Sequence, residues 1–139
     1  MIEHATAGRP EEVCGIVGGE FGESRSKGTS LHPATNVSDR PRTEYFMDPE
    51  EQLAVIDEIE ENGEDVVGFY HSHPTGPPRP SPTDEARATW PGYSYLIVAL
   101  DGRPFVGSWR WTGDRFDQEV VRVDDLYRSR GIDTPDDGG

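Results

Sequence analysis

The stretch Val66-Val67-Gly68-Phe69-Tyr70-His71 constrains this chain more than any other. It is an almost unbroken apolar run with charge before it and Pro74 soon after, the pattern of a strand buried on both faces. A strand of that kind belongs in the middle of a sheet. It runs into His71-Ser72-His73-Pro74. Side chains two apart on a strand share a face, so the two imidazoles can be offered to one metal ion; equally, each could simply bond a nearby carbonyl.

The elements around this run follow from local chemistry. Val13 to Gly19 reads as a buried strand ending in a turn, and Thr29 to Thr35 as a second strand. Asp48-Pro49-Glu50-Glu51 is a helix start, with a capping aspartate, proline at the first helical position and acids where the dipole favours them. Leu53, Ile56 and Ile59 supply its expected apolar face, and Gly63 its end. Ser81-Pro82-Thr83-Asp84 opens another helix, expected to reach Thr89 before Pro91-Gly92. Strands are then expected over 93–99, 105–111 and 115–123, with Asp101-Gly102 turning the first into the second. Residues 1–9 form a short helix or a loose lead-in, broken by Pro10.

Asp84 lies eleven residues beyond His73, in the first turn of the second helix, and the proline-rich loop from Pro74 to Pro80 gives the reach to bring it back. Two neutral histidines and a carboxylate make a three-ligand zinc site with the fourth position open, the catalytic pattern and not the structural one. Cleavage of an amide there also needs a group to carry the proton from water to the leaving amine. It gains further from a donor to the developing oxyanion, and Ser81 is placed to be that donor. Ser81 and Asp84 also serve as a helix cap and a dipole-favoured acid, roles compatible with the chemistry.

Composition decides among partners. The 139 residues carry 27 acids against 13 bases, a net charge of -14, and Lys27 is the single lysine. Self-repulsion of that size is screened when the Debye length falls to roughly 3 Å at about 1 M salt, so the balance reads as adaptation to a salt-rich cytoplasm. An acidic face recruiting a basic partner is the alternative, and the scatter of the acids along the chain counts against it. The charge argues against nucleic acid. One cysteine, Cys14, excludes an internal disulfide and a four-cysteine zinc site. No apolar run approaches the ~18 residues of a membrane span and no signal-peptide order opens the chain, so a soluble cytoplasmic protein is expected. The length fits one domain, expected over residues 1–123, followed by an acidic flexible tail over 124–139.

His71-Ser72-His73-Pro74, the seven residues between His73 and Ser81, and Ser81-Pro82-Thr83-Asp84 together resemble the signature of the JAMM (MPN-plus) zinc metalloproteases. The resemblance extends through Asn36, Asp48-Pro49-Glu50, Val67 to Tyr70 and Pro91 to Val98, covering about residues 10 to 112. It implies an α/β fold with a mixed sheet flanked by helices, similar to the cytidine-deaminase sheet. It implies one catalytic Zn2+ held by His71, His73 and Asp84, with Ser81 beside them. That family also places a catalytic glutamate in a Glu-x-Cys-Gly context, which falls here on Glu12-Val13-Cys14-Gly15 and makes Glu12 the general acid/base in preference to Glu11. Cys14 is then a small strand residue and not a nucleophile. His4 and His32 remain structural or solvent-facing.

Compact archaeal members of that family are desampylases, which cut a ubiquitin-like small modifier after its C-terminal Gly-Gly from a substrate lysine, by metal-activated water. The resemblance therefore implies an isopeptidase whose partner is such a modifier or its conjugates. The tail of the modifier is expected to pass between the loop from Pro74 to Pro80 and the segment leading to Phe46. Rival readings are a processing protease for a small sulfur-carrier protein, a RadC-like protein, and a scaffold that has lost its metal. Ser72 where the RadC-like pattern has asparagine argues against the second, and the intact histidines, Asp84 and Glu12 against the third. A zincin would need His-Glu-x-x-His, and a nucleoside deaminase Pro-Cys-x-x-Cys; neither is present. Oligomeric state is not specified by the sequence.

Overall fold

The computed structural model describes residues 1–123. Six strands form one mixed sheet in the order β2-β1-β3-β4-β5-β6. In chain order the elements are α1 (Ile2–Gly8), β1 (Cys14–Glu20), β2 (Lys27–Ala34), α2 (Pro49–Glu61), β3 (Asp65–His73), α3 (Pro82–Arg87), β4 (Ser94–Ala99), β5 (Phe105–Trp111) and β6 (Phe116–Glu119). β3 and β4 are parallel and every other pair is antiparallel. The expected tail over 124–139 lies outside the described residues. Among the described residues no helix is long and apolar enough to cross a membrane.

β3 is the central strand that its apolar run requires, buried from Val66 through His73. Its register against β1 shifts between Val17 and Gly18, so that Val17 faces Gly68 and Gly18 faces Val66. The extra residue at this bulge puts Val66 and Phe69 in one core cluster and Val67 and Tyr70 in the other. An unbroken apolar run results, because both sheet faces are covered. The first cluster joins Cys14, Ile16, Met47, Ile59, Phe69, Tyr95 and Trp111, and lies under α2; the second joins Ala5 of α1 to Val13, Val17, Tyr70, Val98 and Leu100. At Gly15 a Cβ would stand 2.2 Å from the Tyr70 ring, so only glycine lets β1 lie over that tyrosine.

α2 starts as its sequence requires: Asp48 accepts a hydrogen bond from the Glu50 amide and Pro49 fills the first position. Gly63, at φ +80, ends it by donating to the Glu60 carbonyl. The expected apolar face needs correction at Leu53, which is 62% exposed, while Ile59 is buried and Val55 and Ile56 pack on the core. Seen from Ile59, a spacing of four reaches Val55 and a spacing of three reaches Ile56, so the stripe facing the sheet passes Leu53 by.

Beyond shifts of one or two residues at the ends of β1, β2 and β4, two boundaries differ from expectation. α3 stops at Arg87 and not near Thr89, because Ala88 turns to extended backbone and the amides of Thr89 and Trp90 donate to the Tyr95 hydroxyl at 3.2 and 3.1 Å. β6 spans only Phe116–Glu119, because Arg115 belongs to the preceding turn, where its carbonyl accepts from the Thr112 amide. Pairing with β5 ends at Ser108 opposite Glu119, and Val120 and Val123 beyond it are exposed.

Candidate metal centre

Parallel pairing sets the C-terminal end of β3 beside β4, with His71 opposite Ile97 and His73 opposite Ala99. Both histidines lie on the β3 face that carries Phe69, and Ser72 between them points the other way. The Ser72 hydroxyl accepts from the Val13 amide at 2.8 Å, tying the end of β3 to the start of β1. α3 then presents Asp84. Its first turn is a reciprocal cap in which the Asp84 amide donates to Ser81 Oγ at 3.0 Å and the Ser81 amide donates to Asp84 Oδ2 at 2.9 Å.

Three atoms converge as a result. His71 Nε2 and His73 Nε2 are 3.1 Å apart, and Asp84 Oδ2 lies 3.1 Å from the first and 3.2 Å from the second. His73 Nδ1 stands 2.9 Å from the Pro77 carbonyl, which can only accept, so this nitrogen carries the proton. In a neutral imidazole Nε2 is then a bare lone pair facing a carboxylate oxygen. Either that nitrogen takes a second proton, or a cation stands among the three atoms. Ligand atoms around a tetrahedral zinc, at about 2.0–2.1 Å from it, lie about 3.3 Å from one another, close to the spacings observed here. The donor set therefore fits a zinc ion.

Electrostatics separate the two carboxylates nearby. Burial alone would raise the Asp84 carboxyl, but hydrogen bonds to His71, His73 and the Ser81 amide outweigh it and hold Asp84 well below the usual carboxylate range. Glu12 is pushed up to about 8, by burial first, with His73 opposing and Asp84 and Glu44 adding to the rise. Glu12 is only 6% exposed, and its Oε1 is buried without a hydrogen-bond partner. A carboxylate oxygen of Glu12 lies within 4.8 Å of a ring nitrogen of each histidine. By proximity alone Glu12 could join the ligand set, but Asp84 is the carboxylate at hydrogen-bond distance from both rings, at 3.1 and 3.2 Å. His71 is lowered by burial against the pull of Asp84; His73, less buried, is raised by its bonds to Asp84 and Pro77 in spite of desolvation.

The structure thus brings together His71, His73, Asp84, Ser81 and Glu12, five residues drawn from sequence positions 12 to 84. It also supplies partners that the residues alone did not reveal. The Tyr45 ring stacks on His71, with centroids 4.4 Å apart at 24°. Asn36 organises the irregular segment that leads there: its Nδ2 donates to the carbonyls of Glu12 and Glu44, and its Oδ1 accepts from the amides of Ser38 and Phe46. Irregular backbone carries no periodicity, so nothing in the sequence marks Tyr45, although Asn36 falls within the family resemblance and the segment leading to Phe46 is expected beside the modifier tail. Beside Tyr45 opens a groove of about 420 Å³ lined by Phe46, Met47, Phe69, Arg87, Trp90 and Tyr95. Arg87 donates to the Tyr45 carbonyl and pairs with Glu44.

The remaining histidines stand apart. His4 Nδ1 bonds the Tyr70 hydroxyl at 2.8 Å, and His32 Nε2 bonds Ser30 Oγ at 2.9 Å with Glu58 at 3.8 Å. Cys14 is fully buried, with its thiol pushed up to about 12 by burial and by the charges of Glu51 and Glu12, so it holds its proton.

Comparison with known proteins agrees with this geometry. Residues 1–112 match the Prok-JAB family, prokaryotic homologs of the JAB domain. A desampylase of Haloferax volcanii is 47% identical over 128 residues, covering 89% of each chain. The CysO-cysteine peptidase of Mycobacterium bovis is 35% identical over 130 residues, covering 91% of this chain and 86% of its own. A solution structure from Desulfitobacterium hafniense superposes with a TM-score of 0.76 at 35% identity, covering 86% of this chain and 82% of that one. A central strand ending in paired histidines, a capped aspartate brought beside them and a match over four-fifths of the chain lead to one assignment: the protein belongs to the Prok-JAB family of JAB/MPN-domain proteins.

Proposed function

We propose that this chain is a zinc-dependent isopeptidase that releases a ubiquitin-like small modifier from substrate lysines by hydrolysis after the modifier's C-terminal Gly-Gly. The observation that carries this reading is the convergence of His71, His73 and Asp84 beside a buried Glu12 whose carboxyl oxygen has no partner. His71 and His73 would hold the ion through Nε2 and Asp84 through Oδ2. Bound there, zinc would supply Lewis-acid polarisation of the scissile carbonyl and an acidified water at neutral pH.

The chain's own residues do the rest. Glu12, raised by burial into the range where it both takes and gives a proton, collects the proton of the attacking water and passes it to the leaving lysine amine. Ser81 Oγ accepts from the Asp84 amide through one lone pair and keeps its hydrogen to donate to the oxyanion. Pro77 fixes the tautomer of His73, and the stacked Tyr45 ring fixes the plane of His71. The groove from Tyr45 to Trp90 is suited to the modifier tail, with the loop from Pro74 to Pro80 on the other side.

Similarity to a CysO-cysteine peptidase favours a second substrate on the same machinery, a small sulfur-carrier protein ending in Gly-Gly with an amino acid attached. Incubation of the purified chain in molar salt with a lysine-linked modifier conjugate, a linear fusion and a carrier–cysteine adduct, with products read by mass spectrometry, separates the two. Cleavage after Gly-Gly that a chelator abolishes and zinc restores is the expected result. No cleavage of any of the three by zinc-loaded protein overturns the proposal.

A further inference from the structure

A second cavity, of about 240 Å³, lies beyond Trp90. Its lining is Phe21, Ile56, Val66, Trp90 and Tyr93, together with Glu60 and Asp65. Trp90 lines both this cavity and the groove beside Tyr45, so the two are neighbours across one indole. Trp90 and Tyr93 meet edge to face, at 85° with centroids 5.4 Å apart, and make a corner; Phe21 packs on Tyr93 at 4.6 Å. Ile56 and Val66 add aliphatic surface.

Among the described residues neither acid has a cation paired with it. Asp65 uses Oδ2 to accept from the Phe21 amide at 3.1 Å, and the Glu60 carboxylate has no hydrogen bond or ion pair among the described residues. A positive charge does stand close by: the Arg110 guanidinium sits 5.8 Å from the Phe21 ring centroid. It is committed to Glu119 and to the carbonyls of Gly22 and Gly92, and does not neutralise them.

We propose that this cavity is a side-chain pocket for a long basic residue, of lysine type, on a polypeptide partner. The aliphatic stem lies against the aromatic corner, Ile56 and Val66, and the ammonium stands between Glu60 and Asp65. Lysine combines an apolar stem with a charged head that stays at the rim, which is the chemistry this lining complements. Sites for free ligands usually run from about 300 to 1,000 Å³, so a smaller cavity suits one side chain better than a cofactor. The pocket is independent of the proposed reaction, since binding alone reads it.

Nuclear magnetic resonance titration of the whole chain with Nα-acetyl-lysine amide, and with the norleucine analogue that keeps the stem and lacks the charge, tests it. Saturable shifts of the Trp90 indole and Tyr93 ring signals are expected with the lysine probe. Affinity should be at least about threefold weaker for norleucine, and weaker by a similar factor for lysine in the Glu60→Gln/Asp65→Asn double variant. Both replacements keep side-chain shape, and the new amide at 65 can still accept from Phe21. Equal response to the two probes, absence of a saturable response, or an unchanged response in the double variant overturns the proposal.

Discussion

The side-chain amide of Asn36 donates to the backbone carbonyl of Glu12 at 3.0 Å, so one asparagine fixes where the proposed proton carrier enters the site. The same side chain pins Glu44 and Phe46, whose neighbour Tyr45 covers His71. Asn36→Ala leaves four backbone groups without their partner. A stability loss of about 1–3 kcal/mol is expected, read from denaturant midpoints, because four hydrogen bonds are lost at once from half-buried or exposed groups that water can in part satisfy. Activity should fall further than stability alone explains. Asn36→Asp keeps the Oδ1 acceptor, loses the donor to both Glu12 and Glu44 and sets a carboxylate oxygen against their carbonyls, so it should lose activity as well and should not recover the stability of the parent.

Ser81 has two roles that separate by readout. Removing the cap in Ser81→Ala should cost about 1 kcal/mol of stability. Removing an oxyanion donor should lower kcat by about 10²–10³. A drop in stability with kcat within a few-fold of the parent would reduce Ser81 to a helix cap. Ser81→Thr, which keeps the hydroxyl, should preserve both.

Glu119 ties β6 to the sheet. Its Oε2 accepts from Ser94 and Ser108 and its Oε1 pairs with Arg110 at 2.9 Å. Burial would raise this carboxyl, but those three donors outweigh it and hold it below the ordinary glutamate value. A folded-state pKa below the unfolded value gives stability that is present above the unfolded value of about 4.3 and is lost as pH falls through the folded one. Denaturant midpoints taken from pH 6 downwards should therefore decline more steeply in the parent than in Glu119→Gln. Parallel curves would contradict this.

Cys14 should be inert. With the side chain fully buried and the thiol pushed up to about 12, iodoacetamide at pH 8 should leave the folded protein unmodified and active, and should label it once denatured. Loss of activity by labelling of the folded protein would argue for a thiol role.

Much of the site is legible in the sequence because its parts obey local rules. The two-residue period of a strand aligns His71 with His73, and the chemistry that starts a helix sets Ser81 and Asp84 in one turn. Asp84 could be expected beside the histidines because the loop of seven residues spans the gap. Glu12 required family resemblance, since only its spacing from Cys14 and Gly15 separates it from Glu11. Tyr45 and the reach of Asn36 were illegible, because irregular backbone takes its shape from bonds to distant residues. Leu53 was misread because an apolar residue one turn from a stripe looks like part of it, and the sheet decides which side is buried. The expected reach of β6 to Val123 rests on the valines at 120, 121 and 123, strand formers by type; pairing with β5 ends at Glu119, and those valines are exposed.

The most direct measurement is cleavage and zinc content of Glu12→Gln beside His71→Ala and Asp84→Ala, all assayed on one lysine-linked modifier conjugate in molar salt. Zinc should remain bound near one equivalent in Glu12→Gln while cleavage falls by about 10²–10⁴, the usual worth of a positioned acid/base. The other two variants should lose both. Cleavage by Glu12→Gln at the parent rate, or full zinc binding and activity in Asp84→Ala, would contradict the assignment of proton carrier and ligand made here.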